Sequence, residues 1–337
     1  MNSGILRHIV SLYAAIALTG MVALCAGCSD SGNPTNSHKA KSTSLQQKQA
    51  PPAGPIRAVE RINSVSVPSE RVVINSKYIP DAVVVVTLPL DYKSRPKKSY
   101  PLVIAFGGAG ECARTPREGS MAWVGYYSMD QAIHALNSSH LESKDFKGLV
   151  TPARLAAFNE SLKKRPYTGA IVACPYSPLI TGLTEFEHSA YEKFIIHELV
   201  PILKKRYRVD PVRIGVDGVS MGGARAMYFG LKYPQIFSSI GSIQGAFGPF
   251  LEIYAGLAHK NRSRLNGHAI QLVTSDGDGM APSVGKMAQL LKDEGIRFTY
   301  MNLTGPHDYI FNQGPGSIAL LMFHGQQQSS SKHGPIK

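Results

Sequence analysis

Short runs of apolar residues, each ended by glycines or a polar turn, alternate along this chain with segments of helical periodicity. Runs such as 101–106 and 170–174 are apolar throughout, which is typical of strands buried on both faces of a sheet. Strands are predicted at 71–74, 82–88, 101–106, 170–174, 213–216, 238–243, 269–274 and 298–303, and helices at 191–207, 221–233, 283–294 and 314–324. This alternation predicts an α/β fold in which a mostly parallel central sheet carries helices on both faces.

The composition limits the classes of protein to which the chain can belong. Of the 337 residues, 43% are hydrophobic and 18% are charged, which suits a globular domain and excludes a coiled coil, a collagen-like chain and a multi-span membrane protein. The formal net charge is +13. No nucleic-acid-binding motif accompanies this charge, so we expect no nucleic-acid partner. The charge forms either a solvated basic surface or a contact with anionic lipid or lipopolysaccharide.

The chain begins with the pattern of an exported protein. A short basic segment precedes a mostly apolar stretch at 9–24, and small residues then lead to Cys28. The pattern resembles a bacterial lipoprotein signal, which implies that residues 1–27 are removed and that Cys28 is lipidated. Residue 29 is Ser rather than Asp, so the resemblance implies attachment to the outer membrane, facing the periplasm. An ordinary secretory signal, with release into the periplasm, is the alternative.

Polar segments flank the predicted domain on both sides. Residues 28–60 are rich in Ser, Gln, Lys, Pro and Asn and have almost no large apolar side chains, which predicts a flexible tether. The tail at 327–337 is expected to be disordered. The folded domain is therefore predicted at 61–326.

A serine stands in a glycine-flanked turn between a predicted strand and a predicted helix, in the motif Gly218-Val219-Ser220-Met221-Gly222. A nucleophilic serine must project from a sharp turn, where a Cβ on either flank would collide with the crossing strand and helix. Glycines two residues before and two after Ser220 meet this requirement. Ser220 is therefore predicted to be a nucleophile, the alternative being an idle serine in a glycine-rich turn.

A nucleophilic serine needs a base, and the base needs an acid that orients it. His307 lies directly after the strand predicted at 298–303, and an acidic loop follows the strand predicted at 269–274. Asp276 and Asp278 compete within that loop. We prefer Asp278 because it lies further into the loop, where it can reach the histidine.

Two backbone N–H groups are candidates for stabilising an oxyanion. Met221 follows the nucleophile at the start of a helix. Gly108 lies in the glycine-rich loop 106–111, where glycines let the backbone approach a substrate closely. A plain strand-ending turn is the alternative role for Gly108.

These motifs together resemble the esterase D, feruloyl esterase and mycolyltransferase type of α/β-hydrolase. The resemblance spans about residues 70–325 and is carried by the segments 88–92, 99–103, 194–201, 218–223 and 305–309. Two positions depart from the pattern: Phe106 stands before the glycines and Val219 stands in the elbow, where histidine is common in relatives.

The resemblance implies an α/β-hydrolase fold with a catalytic triad of Ser220, Asp278 and His307. It implies hydrolysis of a carboxylic ester through an acyl-enzyme, with no metal and no organic cofactor. The expected substrate is a small-molecule or polysaccharide-linked ester. Two alternatives remain open, an acyltransferase and a non-catalytic envelope lipoprotein that uses the fold as a binding scaffold.

The long segment 112–166 has two interpretations. It is rich in aromatic and amphipathic runs, so it either forms a cap insertion whose Trp123, Tyr126 and Tyr127 contact substrate, or covers an edge of the sheet.

Two cysteines remain if Cys25 leaves with the signal and Cys28 carries the lipid. Cys112 and Cys174 each lie near the end of a predicted strand. In an oxidising compartment they form either a disulfide or two free buried thiols.

Overall fold

The computed structural model describes residues 55–80, 82–179 and 187–326. The predicted signal at 1–27, the predicted lipidation site Cys28, residues 28–54 of the tether and the tail at 327–337 lie outside the described residues.

Nine strands form one sheet in the part of the chain that the structure describes. They are β1 (Ile56–Ile62), β2 (Ser69–Ile74), β3 (Ala82–Thr87), β4 (Tyr100–Phe106), β5 (Ile171–Pro175), β6 (Val209–Gly218), β7 (Ser239–Ile243), β8 (Ala269–Gly277) and β9 (Thr299–Pro306). Their order is β1-β2-β3-β5-β4-β6-β7-β8-β9. The pairs β1/β2, β2/β3 and β3/β5 are antiparallel, and every later pair is parallel, so the mostly parallel sheet is confirmed.

The α-helices are α1 (Ala109–Cys112), α2 (Pro116–Gly119), α3 (Met129–Asn137), α4 (Pro152–Lys164), α5 (Ala190–Phe194), α6 (Val200–Arg206), α7 (Met221–Lys232), α8 (Leu251–Leu265), α9 (Ala281–Asp293), α10 (Tyr309–Phe311) and α11 (Ser317–Gly325). Short 3₁₀ or π segments occupy Ala122–Tyr126, Ser143–Phe146, Ile195–Leu199, Gly248–Phe250 and Asn312–Gly316. Within the described ranges, no helix has both the length and the apolar character needed to cross a membrane.

Helices cover both faces of the sheet, as expected. Successive side chains of β4 point to opposite faces, because a strand has a period of two. Ile104 packs with Phe229 of α7 on one face, and Val103 packs in the cluster of Trp123 on the other. The sheet therefore lies between two apolar layers, and its strands are buried on both sides.

The segment 112–166 is part of one of these layers. Its side chains Trp123, Ile133 and Phe158 are buried in the same cluster as Leu320 of α11. Of the two interpretations, the structure supports a cover, and this cover lies over a face of the sheet rather than an edge. The cap interpretation is corrected, because the large apolar side chains of the segment are used in packing on the sheet.

The folded domain begins earlier than residue 61. The predicted tether included 56–60, but these residues belong to β1, which pairs with β2. The strand lies at the edge of the sheet, and its side chains alternate between exposed and partly buried. Glu60 accepts hydrogen bonds from Arg71 and Arg117. The charged residues of this edge strand interrupt its apolar residues, so it lacks the continuous apolar run by which the other strands were predicted.

Candidate active site

The carboxyl ends of four parallel strands meet at one edge of the sheet. Phe106 at the end of β4 pairs with Gly218 at the end of β6, and Gly277 of β8 pairs with Pro306 of β9. The loops after these strands carry Gly108, Ser220, Asp278 and His307. Such an edge is where open α/β sheets bind their ligands.

Ser220 occupies a strained turn between β6 and α7. Its φ is 58° and its ψ is −119°, an unusual conformation for a residue with a side chain. Its N–H donates to the Ile243 carbonyl at 2.9 Å, and its own carbonyl accepts from the Ala246 N–H at 3.1 Å. These bonds to the end of β7 hold the strained turn in place.

The flanking glycines are required by close backbone contacts. A Cβ on Gly218 would lie 2.4 Å from backbone atoms of Gly222, and a Cβ on Gly222 would lie 2.5 Å from the Gly107 carbonyl oxygen. Neither position tolerates a side chain without movement of the backbone. These clashes explain why the motif around Ser220 has glycines at both positions, as predicted from the sequence.

Asp278 is hydrogen-bonded to His307. Asp278 Oδ1 lies 2.7 Å from His307 Nδ1 and accepts the Met280 N–H at 2.8 Å, while Oδ2 accepts the Thr274 hydroxyl at 2.7 Å. Burial raises the pKa of the Asp278 carboxyl, but the three hydrogen bonds outweigh burial and place this pKa below its usual value. The carboxylate is fully buried, whereas the His307 side chain is 30% exposed.

Asp276, the competing acid, has a different position. It is exposed, and its Oδ1 accepts the Gly305 N–H at 2.9 Å. It also lines a cavity of about 190 Å³ together with Arg154 and Asn302. The structure therefore brings Asp278 to His307, whereas Asp276 accepts a hydrogen bond from the neighbouring strand β9.

Gln244 connects the serine turn with the acid and histidine loops, and sequence reasoning missed it. It follows β7 with a φ of 48°, and its side-chain amide donates to Ser275 Oγ at 2.7 Å and to the Pro306 carbonyl at 3.1 Å. No motif marks this residue, because its role depends on three strands that are distant in sequence.

The two predicted oxyanion donors differ in their availability. Met221 is the first residue of α7, so its N–H has no partner within the helix. The Gly108 N–H, in contrast, donates to the Tyr127 hydroxyl at 3.0 Å. The prediction that the Gly108 N–H is a free oxyanion donor is therefore wrong, since this amide can reach a substrate oxygen only if Tyr127 releases it.

Of the three aromatic residues expected to contact substrate, two are inside the protein. Trp123 is 0% exposed and Tyr127 is 1% exposed. The Trp123 indole N–H donates to the Phe106 carbonyl at 3.2 Å, behind the glycine loop. The prediction that Trp123 and Tyr127 contact substrate is therefore wrong. Tyr126 is partly exposed, and Arg114 lies 4.4 Å from the centre of its ring.

Cys112 and Cys174 are free, buried thiols. Burial raises the pKa of Cys174 to about 12. It also raises the pKa of Cys112, although Arg225 opposes the shift. The second of the two sequence alternatives, a pair of buried thiols, is what the structure shows.

Comparison with known proteins bears on the family resemblance and the fold of this chain. Residues 183–277 match the family model described as "Putative esterase". An uncharacterized protein, YbbA of Bacillus subtilis (strain 168), is 32% identical over 77 residues, which are 22% of this chain and 31% of the relative. The match thus spans about a third of the length of that relative.

Solved structures resemble the chain over most of its length. A ferulic acid esterase has a TM-score of 0.58 and 16% identity, over 79% of this chain and 98% of that one. The S-formylglutathione hydrolase FrmB of Staphylococcus aureus has a TM-score of 0.51 and 14% identity, over 82% and 99%. FphF, a fluorophosphonate-binding serine hydrolase of S. aureus, has a TM-score of 0.52 and 13% identity, over 80% and 99%. The α/β-hydrolase fold and the resemblance to esterases are confirmed.

Proposed function

We propose that this protein is a serine esterase that hydrolyses a carboxylic ester through an acyl-enzyme. The observation that carries the proposal is the Asp278–His307 hydrogen bond of 2.7 Å at the edge of the sheet where the strained Ser220 turn projects. The esterase family match over 183–277 includes the elbow and the strand before Asp278. A buried carboxylate, a partly exposed imidazole and a serine on a sharp turn are the groups that acyl transfer requires.

The reaction begins when Ser220 Oγ attacks the ester carbonyl carbon. His307 Nε2 takes the hydroxyl proton as the bond forms, and the buried Asp278 carboxylate holds the imidazole by Nδ1 and stabilises its positive charge. His307 then gives the proton to the departing alcohol oxygen, which leaves the acyl group on Ser220. Water attacks the acyl-enzyme by the same route, releases the acid and restores the serine.

Negative charge develops on the carbonyl oxygen during both attacks. The Met221 N–H, at the N-terminus of the 12-residue α7, is the donor best placed to stabilise it. The Gly108 N–H stays with the Tyr127 hydroxyl at 3.0 Å, so the mechanism takes Met221 as its donor.

We also propose that the enzyme is anchored by lipid on Cys28 in the outer membrane and faces the periplasm. The support is the signal pattern that ends at Cys28 and the serine at residue 29. Cys28→Ala should leave unlipidated precursor, and wild-type protein should stay with membranes when 1 M salt shortens the Debye length to about 3 Å. Release of the wild type by salt alone would contradict a lipid anchor.

Ester hydrolysis is tested with a panel of p-nitrophenyl and aryl esters. Wild-type protein should hydrolyse at least one ester, and Ser220→Ala should lower kcat by about 10⁴–10⁶-fold, because only the reacting oxygen is removed. Activity retained by pure Ser220→Ala protein would contradict the assignment. Addition of a competing alcohol distinguishes acyl transfer, since a transferase would form the new ester in preference to the acid.

A further inference from the structure

Glu111 is a buried carboxylate that this mechanism does not use. It belongs to α1, is the last residue of the glycine-rich loop 106–111 and is 3% exposed. Glu111 Oε2 accepts a short hydrogen bond from the Tyr127 hydroxyl, and Oε1 accepts the Tyr309 hydroxyl at 2.6 Å. Burying a carboxylate is costly unless it is well hydrogen-bonded, so an apolar side chain would serve a purely structural position better.

The Tyr127 arm of this network leads to the glycine loop. The Tyr127 hydroxyl accepts the Gly108 N–H at 3.0 Å, and its own proton points to Glu111. Burial, and next the charge of Glu111, raise the pKa of Tyr127 well above its usual value. The hydroxyl therefore stays protonated and can donate and accept at the same time. The orientation of the Gly107–Gly108 peptide is set in this way by a residue 19 positions away.

The Tyr309 arm leads to the loop that carries the base. Tyr309 lies two residues after His307 and is the first residue of α10, whose N-terminus is capped by Asp308. A Cβ on Gly110 would lie 3.1 Å from the Tyr309 hydroxyl, so the two loops approach each other directly. The Tyr127 and Tyr309 rings lie 5.9 Å apart and meet at the same carboxylate.

We propose that Glu111 is a positioning residue that fixes the glycine loop and the His307 loop relative to each other through Tyr127 and Tyr309. This inference rests on the proposed esterase function. The carboxylate is suited to the role because its two oxygens accept one hydroxyl each in a fixed plane. Fixed spacing matters because a displacement of about 1 Å at a reacting group can slow a reaction about 100-fold.

The test compares Tyr127→Phe, Tyr309→Phe and the double variant with Tyr100→Phe. Tyr100 is a matched control, because its buried hydroxyl also donates to a carboxylate, Asp91, but lies at the opposite end of β4. Each single variant should lower kcat about 10-fold with little change in KM. The double variant should lose less activity than the product of the two single losses, because both hydroxyls act through the same carboxylate. Phosphonylation of Ser220 by a fluorophosphonate should slow by the same factor.

Glu111→Gln provides a second approach if a tyrosine variant folds poorly. The amide keeps the shape but has one accepting oxygen, so one hydroxyl loses its acceptor and kcat should again fall about 10-fold. Tyr100→Phe should match the melting temperature of the variants and keep wild-type kcat.

Each outcome separates this inference from the proposed function. A wild type inactive on every ester, or an active Ser220→Ala, removes the proposed function itself. If activity depends on Ser220 but Tyr127→Phe and Tyr309→Phe keep the kcat of Tyr100→Phe, the positioning role is wrong. A higher kcat in Tyr127→Phe would show that the hydroxyl only blocks the Gly108 amide and would overturn the role. Losses that multiply in the double variant would also overturn it.

Discussion

Two strand–turn–helix junctions meet at the candidate active site, and they are built in different ways. The junction after β6 carries a local constraint, because a Cβ on Gly218 would lie 2.4 Å from the backbone of Gly222, and both glycines stand beside Ser220 within six residues. The junction after β4 is determined from a distance, since its backbone is held by Trp123 at Phe106 and by Tyr127 at Gly108.

This difference explains why a motif describes one junction and not the other. A glycine spacing is a steric signature that can be recognised within the motif itself, although the partner that requires Gly222 is the distant Gly107 carbonyl. The orientation of the Gly108 amide depends instead on side chains of 112–166 and on Glu111. The sequence therefore predicts the local half of the site, the Ser220 turn after β6. Only the structure shows what holds the distant half, the backbone after β4.

The largest effect that tests the local half concerns the acid. Asp278→Asn should lower kcat about 10⁴-fold, because the neutral amide cannot hold the imidazole in the required tautomer. Asp276→Asn is the control and should affect kcat far less, since Asp276 accepts the Gly305 N–H instead. Steady-state kinetics on one ester settle the comparison, and a greater loss with Asp276→Asn would reverse the assignment.

Trp123→Ala tests the distant half and should mainly affect stability. Trp123 is fully buried and holds the Phe106 carbonyl, so its loss should lower the free energy of unfolding by about 3–5 kcal/mol. Tyr300→Ala, which removes a 45% exposed aromatic from β9, is the control and should cost much less. Denaturant unfolding measures both. Unchanged stability together with a changed ester preference would restore the cap interpretation.

Gly222→Ala tests the contact between the two junctions. The added Cβ would meet the Gly107 carbonyl oxygen at 2.5 Å, and relieving this clash should cost about 1–3 kcal/mol of stability. Gly256→Ala in α8, where nothing lies within 4 Å, should stabilise the protein by about 0.5–1 kcal/mol. Similar effects of the two changes would mean that the junctions do not pack as described.

The smallest effect concerns the two buried thiols, of which Cys112 lies at the end of the β4 junction. Cys112 and Cys174 should react slowly with iodoacetamide at pH 8 in the native protein, because burial raises both pKa values and only the thiolate reacts. Unfolding should make both reactive, as peptide mapping would record. A peptide that links Cys112 to Cys174 in a non-reduced digest would contradict the free thiols.

The sequence predicted most of the fold because its buried strands are apolar throughout, as in 101–106 and 170–174. It missed β1, because the charged residues of this edge strand interrupt its apolar residues. In the site, Ser220 was found from the glycine spacing around it, and Asp278 and His307 from their positions after strand ends. Glu111 and Gln244 were not found, because a polar residue reveals such a role only when its distant partners are known.

The central claim, that Ser220 is the activated nucleophile, is tested most directly by a covalent probe. A fluorophosphonate should add one phosphonyl group per protein molecule, and peptide mass spectrometry should place it on Ser220. Activation by His307 makes this serine react far faster than the other serines of the chain. The adduct should be absent in Ser220→Ala and strongly reduced in Asp278→Asn. A protein that hydrolyses esters but carries the adduct elsewhere, or carries none, would contradict the account.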